Sequence, residues 1–317
     1  MILAGLVAAR WAHYLALMLT FGAASFPTAA GSRGPGPVES RWSDSMRWRR
    51  RTLAWASSGA LASALILLSL TAAGLTGELV DAVDPAVLAA IVAETDFGRV
   101  WVARVALAAA LVALAFAPPP ARPRRWRRLL ELTLAGGLLA TMALTGHAQM
   151  RGGATGLVHR LADAAHLIAA GVWLGALPAF LLMLRQARRA HDAQAARDVA
   201  QHLRRFHAVG TAAVLALVAS GLVSSWLLVG APARLASTPY GQVLAAKLAL
   251  LAAMLALAAD NRWRLVPRLD RALARGLPAR TWIERLRRHI RNEFALGIGV
   301  LLAVSVLGML APAIDVT

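Results

Sequence analysis

The chain has 317 residues, of which 58% are hydrophobic and 16% charged, and it contains no cysteine. That composition excludes an ordinary soluble domain, and the missing cysteine excludes disulfides and thiolate metal ligands. The formal net charge of +18 invites a nucleic-acid partner, but its distribution along the chain points to membrane topology instead.

Eight apolar blocks run in order: Leu3–Phe26, Leu53–Leu75, Val100–Ala117, Leu129–Thr145, Leu157–Leu184, His207–Val229, Gln242–Ala259 and Phe294–Leu310. Each is close to the roughly 20 residues that cross a hydrocarbon core of about 30 Å. Lipid offers no water to backbone groups, so spans of this composition are helices. The expected fold is all-α: one integral-membrane domain over residues 1–317, built as a polytopic bundle of eight transmembrane helices. Pro118, Pro119 and Pro120 end the third block, since proline cannot continue the helical ladder. The first block ends beside small residues, as a cleaved leader would. It is long, however, holds Arg10 and His13, and runs into an arginine-rich loop, so it is read as a retained helix.

Loop charge sets the orientation. The loop after the first block holds Arg33, Arg41, Arg47, Arg49, Arg50 and Arg51. Arg122, Arg124, Arg125, Arg127 and Arg128 follow the third block, and Arg185, Arg188, Arg189, Arg197, Arg204 and Arg205 follow the fifth. Ten arginines, from Arg262 to Arg291, follow the seventh. The loop after the second block is acidic, with Glu78, Asp81, Asp84, Glu94 and Asp96. This is the positive-inside pattern repeated four times, and it puts both termini on the outer face. Basic loops then meet anionic lipid, and nucleic acid is not expected as a partner. The stretch with Trp263 and Trp282 reads as an amphipathic helix on the membrane surface. Lys247 is the only lysine, and the heavy use of Arg, Ala, Gly and Pro fits a GC-rich bacterial genome and an inner (plasma) membrane.

Polar groups inside these blocks are costly and therefore informative. His159, Asp163 and His166 stand at i, i+4 and i+7 and share one helical face. On the expected topology they enter from the outer side, with His166 about 10 Å deeper than His159. His147 ends the fourth block on the same side, Met150 follows at the mouth, and His13 sits on the first helix. Met18 and Met142 lie below. Imidazole and thioether suit copper, and hard ions less well; Asp163 serves as a ligand or orients a histidine. The alternative for each group is a hydrogen bond across helices, and for each methionine simple core filling. His191, His202, His207 and His289 fall on the inner side and read as solvated or interfacial. Gly171 and Gly175 are four residues apart, which in a membrane helix reads as close packing.

The run from His159 through His166 and Trp173 to Gly175 resembles the signature of the CopD/PcoD copper resistance membrane proteins. Thr145-Gly146-His147-Ala148, Arg10-Trp11-Ala12-His13-Tyr14 with Gly22, and Tyr240-Gly241 with Lys247 and Asn261-Arg262 are similar too, as are Glu293 and Pro312. Ala176 departs from a glycine common in that family. The resemblance implies an inner-membrane protein, not an enzyme, that imports copper ion from the periplasm for copper homeostasis and resistance, aided by a periplasmic CopC-like carrier. The expected path runs from His147, His159 and Met150 to a deeper site of His166 and His13 with Met18 or Met142. Arg10 and Lys247 at similar depth would repel a cation. They favour a second reading, a haem b redox protein with paired histidines and Arg/Lys on the propionates, which would reduce copper or pass electrons. A third reading is a copper-binding assembly partner that moves nothing. No phosphate loop or nucleophile elbow is found in the sequence.

Overall fold

A computed structural model describes residues 1–29, 39–118, 125–145, 153–190 and 193–315. They form helices α1 (Ile2–Ala29), α2 (Glu39–Thr76), α3 (Pro85–Glu94), α4 (Asp96–Phe116), α5 (Arg125–Ala140) and α6 (Gly153–Ala190). The chain continues as α7 (Ala193–Val229), α8 (Arg234–Ser237), α9 (Pro239–Asp260), α10 (Val266–Ala274) and α11 (Arg280–Leu307). No strand occurs among the described residues. The all-α expectation therefore holds.

Seven helical stretches among the described residues are long and apolar enough to cross a membrane: Ile2–Phe26, Met46–Thr76, Asp96–Phe116, Gly153–Arg189, Ala193–Val229, Pro239–Ala274 and Arg280–Leu307. The fourth expected block is the 16-residue α5, continued by a 3-10 turn at Thr141–Leu144. Several helices run well past their apolar blocks. Helix α7 begins at Ala193 rather than His207, and α11 at Arg280 rather than Phe294. Apolar patterning marks only the part of a helix in lipid, whereas the charged ends continue the same hydrogen-bond ladder beyond it. The segment expected as one amphipathic helix after the seventh block is divided: Trp263 lies in the π-helical turn Asn261–Leu265 that α10 continues, and Trp282 in the first turn of α11. There the guanidinium groups of Arg268 and Arg285 stack over the indole at 5.6 and 5.3 Å. The acidic connection after α2 folds as a 3-10 turn and α3, with Asp84 and Thr95 accepting from Ala86 and Gly98 N–H as helix caps.

Helix α1 packs against α2, α5, α6 and α11, so it lies inside the bundle. Its crossing with α6 is a contact of backbones. A Cβ placed on Gly22 would fall 2.3 Å from the Cα of Gly175, and one on Gly171 would meet the Phe21 ring at 2.7 Å. The glycine spacing read as close packing is therefore close packing. Large apolar side chains such as Leu65, Leu215, Leu222, Trp226 and Leu302 stand exposed on the outside, where lipid covers them.

Arginines tie helices together beside this crossing. Arg49 donates Nε–H to the Ala23 carbonyl at 2.9 Å and pairs with Glu131, which Arg127 also approaches at 3.3 Å. Arg50 donates to the carbonyls of Ala115 and Ala117 at 3.1 and 2.9 Å, closing the C-terminal end of α4. These residues were legible as inner-loop charge; their role as helix-end partners was not.

Gly22→Val forces valine methyls into the α6 backbone, and overpacking of this kind typically costs about 1–3 kcal/mol. The detergent-solubilised variant should melt several degrees below the parent. Gly59→Ala, whose new Cβ meets only the Ala16 Cβ at 3.7 Å, should melt like it. An unchanged melting temperature for Gly22→Val would show that α1 and α6 do not meet at this point.

Candidate functional site

One continuous helix, α6, carries His159, Asp163 and His166 on one face, as their spacing requires. His159 is fully buried, and so is His13 on α1. The close crossing of α1 and α6 puts these two helices side by side within the bundle.

The surroundings of His13 and His166 decide which ring nitrogen carries the proton. His13 Nδ1 lies 2.8 Å from Ser63 Oγ on α2. The single hydroxyl proton of Ser63 goes to the Gly59 carbonyl at 2.6 Å. If that proton stays on the carbonyl, the imidazole donates Nδ1–H to the serine oxygen and Nε2 keeps its lone pair. His166 repeats the arrangement on the other side: Nδ1 is 3.0 Å from Ser220 Oγ on α7, whose proton goes to the Ala216 carbonyl at 2.5 Å. The His13 Nε2 atom is buried and has no hydrogen-bond partner among the described residues. Each ring is held in orientation by a serine and, as a neutral imidazole, offers its other nitrogen as a lone-pair donor. That is the form in which histidine binds a soft or borderline metal.

Charge around them is arranged as a chain. Asp163 accepts from Ser224 Oγ at 3.3 Å and is an electrostatic neighbour of Tyr14, Tyr240 and Lys247. Lys247 in turn neighbours His166. Arg10 donates to the Gly308 carbonyl at 2.6 Å, at the C-terminal end of α11. Carbonyl dipoles at a helix end offset part of a cation's field. The two cations expected to repel an incoming metal thus each have a negative group or dipole beside them. A third cation escaped the sequence reading. Arg104 of α4 is buried and donates to the Thr141 side chain and carbonyl, both at 3.1 Å, and to Thr145 Oγ1 at 2.9 Å. It neighbours His13 and Tyr14. A lone arginine inside the third apolar block was the available signal.

Other expected residues fall as follows. Met18 and Met142 are buried in the main apolar core. Trp173 donates Nε1–H to Glu293 at 2.6 Å, away from the histidines. His147 and Met150, the expected mouth of the path, lie outside the described residues, as does His191. His202 bonds to the Asp198 carbonyl at 2.7 Å and His289 faces Asp260 at 3.6 Å. Among the described residues no three His, Asp or Glu side chains gather as a ligand set for a metal ion. His13 and His166 face separate helices, α2 and α7, rather than one closed site. Either histidine offers one fixed lone pair to a passing or bridging ion; a haem iron would take the same Nε2 atoms.

Comparison with known proteins gives the lineage. A family model described as copper resistance protein D-like, N-terminal domain, matches residues 1–157, and the copper resistance protein D model matches residues 200–307. Copper resistance protein D of Pseudomonas syringae pv. tomato is 36% identical over 311 residues, 96% of this chain and 94% of that protein. Inner membrane protein YebZ of Escherichia coli is 31% identical over 309 residues, 96% and 98% of the two chains. Copper transport protein CutJ of Bacillus subtilis is 32% identical over 265 residues, which cover 81% of this chain and 45% of that longer protein. No solved structure matches the chain. With a family model over its N-terminal half, a second over its C-terminal third and a full-length relative at this identity, the chain belongs to the copper resistance protein D family.

Proposed function

We propose that this multi-pass inner-membrane protein handles copper ion as cargo and moves it from the periplasm to the cytoplasm, without catalysing a reaction. The observation that carries the reading is the pair of serine-oriented histidines, His13 and His166, with Nε2 lone pairs inside the bundle. Relatives named for copper resistance and copper transport support the choice of ion. Loop charge supports an orientation with both termini outside, which puts His159 at the outer entrance and His166 deeper. The cargo arrives from a periplasmic CopC-like carrier, passes His147 and Met150, and then meets His159, Asp163, His166 and His13. Asp163 offsets part of the added positive charge, and Lys247 and Arg10 are held off by the carboxylate and by the α11 end.

The absence of native cysteine makes the orientation testable. Val80→Cys, in the acidic connection, should react with a membrane-impermeant maleimide on intact spheroplasts; Leu277→Cys, between α10 and α11, should react only after lysis. The reverse pattern overturns the topology and with it the direction.

Three further variants address the site. His159→Ala and His166→Ala should reduce cellular copper accumulation to that of cells lacking the protein, at unchanged membrane insertion. Ser63→Ala, which frees the His13 ring, should weaken copper binding by about 10–100-fold. Unchanged accumulation in both histidine variants sinks the assignment.

A redox protein with haem b is the reading that uses the same histidine atoms, and a binding partner without transport is the third. Metal analysis and an absorption spectrum of purified protein separate them. Bound copper without a Soret band is expected; a Soret band lost in His13→Ala would replace the copper path with a haem site. Copper binding without uptake into sealed vesicles would leave only the assembly role.

A further inference from the structure

Glu293 takes no part in the path described above, yet it is the most secluded carboxylate of the inner half. It stands on α11, is 2% exposed, and is contacted by α6 and by the segment that follows α9. Trp173 donates its indole N–H to Oε1 at 2.6 Å, and Asn261 donates an amide N–H to Oε2 at 3.3 Å. Both partners are neutral.

Charged groups on the elements packed against α11 are engaged elsewhere or lie turns away. On α6, His166 is two turns outward and Arg185 more than three turns inward of Trp173. On α1, Arg10 is bonded to Gly308 and His13 to Ser63. Asp260 of α9 faces Arg264 and His289 at 3.3 and 3.6 Å, and Lys247 neighbours Asp163. Arg262 donates to Thr211; on α10, Arg268 stacks on Trp282 and Asp270 pairs with Arg204. None of these cations bonds to Glu293, and none is its electrostatic partner among the described residues. A carboxylate in the apolar interior with no cation beside it is unfavourable as an anion, whereas the neutral acid is not.

Asn261 supplies the second observation. It is 9% exposed, and its Oδ1 atom is buried without a hydrogen-bond partner among the described residues. It opens the π-helical turn Asn261–Leu265, a geometry that recurs at functional sites. An amide presents a donor on one atom and an acceptor on the other. With Nδ2 toward Oε2 it serves the carboxylate. Turned over, Oδ1 accepts from the carboxylic O–H. Trp173 donates to Oε1 in both states. The site is built to hold Glu293 with its proton and without it.

We propose that Glu293 is a proton-binding site, filled and emptied once per copper ion moved, so that copper movement is coupled to the proton gradient. Protonation forms an O–H bond at Oε2 with a proton taken from water, and release returns that proton to water; no electron moves. The coupling rests on the transport reading, whereas the proton site does not.

The test uses purified full-length protein in lipid vesicles. Infrared difference spectra between acid and alkaline buffer should contain a D2O-sensitive carboxylic C=O band that Glu293→Gln removes. Trp173→Phe, which removes one donor but leaves the acid, should shift that band rather than abolish it. A difference spectrum identical in parent and Glu293→Gln overturns the proton site. In the same vesicles, copper uptake by the parent should change several-fold when a pH gradient is imposed or reversed. Uptake by Glu293→Gln should be insensitive to it. A gradient response retained by Glu293→Gln overturns the coupling. Failure of the parent to take up copper at all overturns the transport reading instead, and the infrared band then decides the proton site alone.

Discussion

The backbone contact between Gly22 and Gly175 is the constraint on which the placement of the histidine-bearing helices depends. Lipid tails are as apolar as leucine, so no hydrophobic force drives one membrane helix against another. Close approach, dispersion and hydrogen bonding must do it. With no Cβ on either residue, α1 and α6 touch at their main chains, and the two helices that carry the histidines become neighbours. Phe21 and Leu139 close over Gly171 from either side of the same crossing. The helix that brings Arg10, His13 and Tyr14 is thereby held beside the one that brings His159, Asp163 and His166.

The second constraint is that polar groups away from water must be satisfied within the protein. It explains why serines and threonines accompany the ionisable residues. Ser63 and Ser220 each hand their own proton to a carbonyl one turn back and so turn an oxygen lone pair toward an imidazole N–H. Thr141 and Thr145 do the same service for the Arg104 guanidinium. Helix ends supply the rest: Arg10 uses the end of α11, and Arg50 the end of α4. The consequence for function is a polar interior whose cations are each tied to a fixed dipole or carboxylate.

Two buried carboxylates follow the same physics with different outcomes. Glu131 is met by two arginines and reads as a tie between helices. Glu293 is met by an indole and an amide. The first carboxylate is paired with cations; the second has two neutral hydrogen-bond donors.

Much of this molecule could be read from residue order alone. Apolar length, the arginine-rich loops and the i, i+4, i+7 spacing of His159, Asp163 and His166 are local properties, and a bilayer converts them directly into helices and a shared face. The motifs between residues 145 and 262 carried the family likeness most specifically. Helices α7 and α11 begin before their apolar blocks because hydropathy falls where the membrane stops, not where the hydrogen-bond ladder does. What the order of residues could not supply was partnership between helices. That Ser63 and Ser220 orient His13 and His166, that Arg104 reaches Thr141 and Thr145, and that Glu293 meets Trp173 and Asn261 depend on contacts across 32 to 120 positions of chain. Serine and threonine occur throughout apolar helices bonded to their own backbone, so nothing in their spacing distinguishes the few that face an imidazole or a guanidinium. Only the tertiary packing selects them, because hydrogen-bond geometry is settled over a few ångströms and the pattern of a single helix does not say which helix lies beside it.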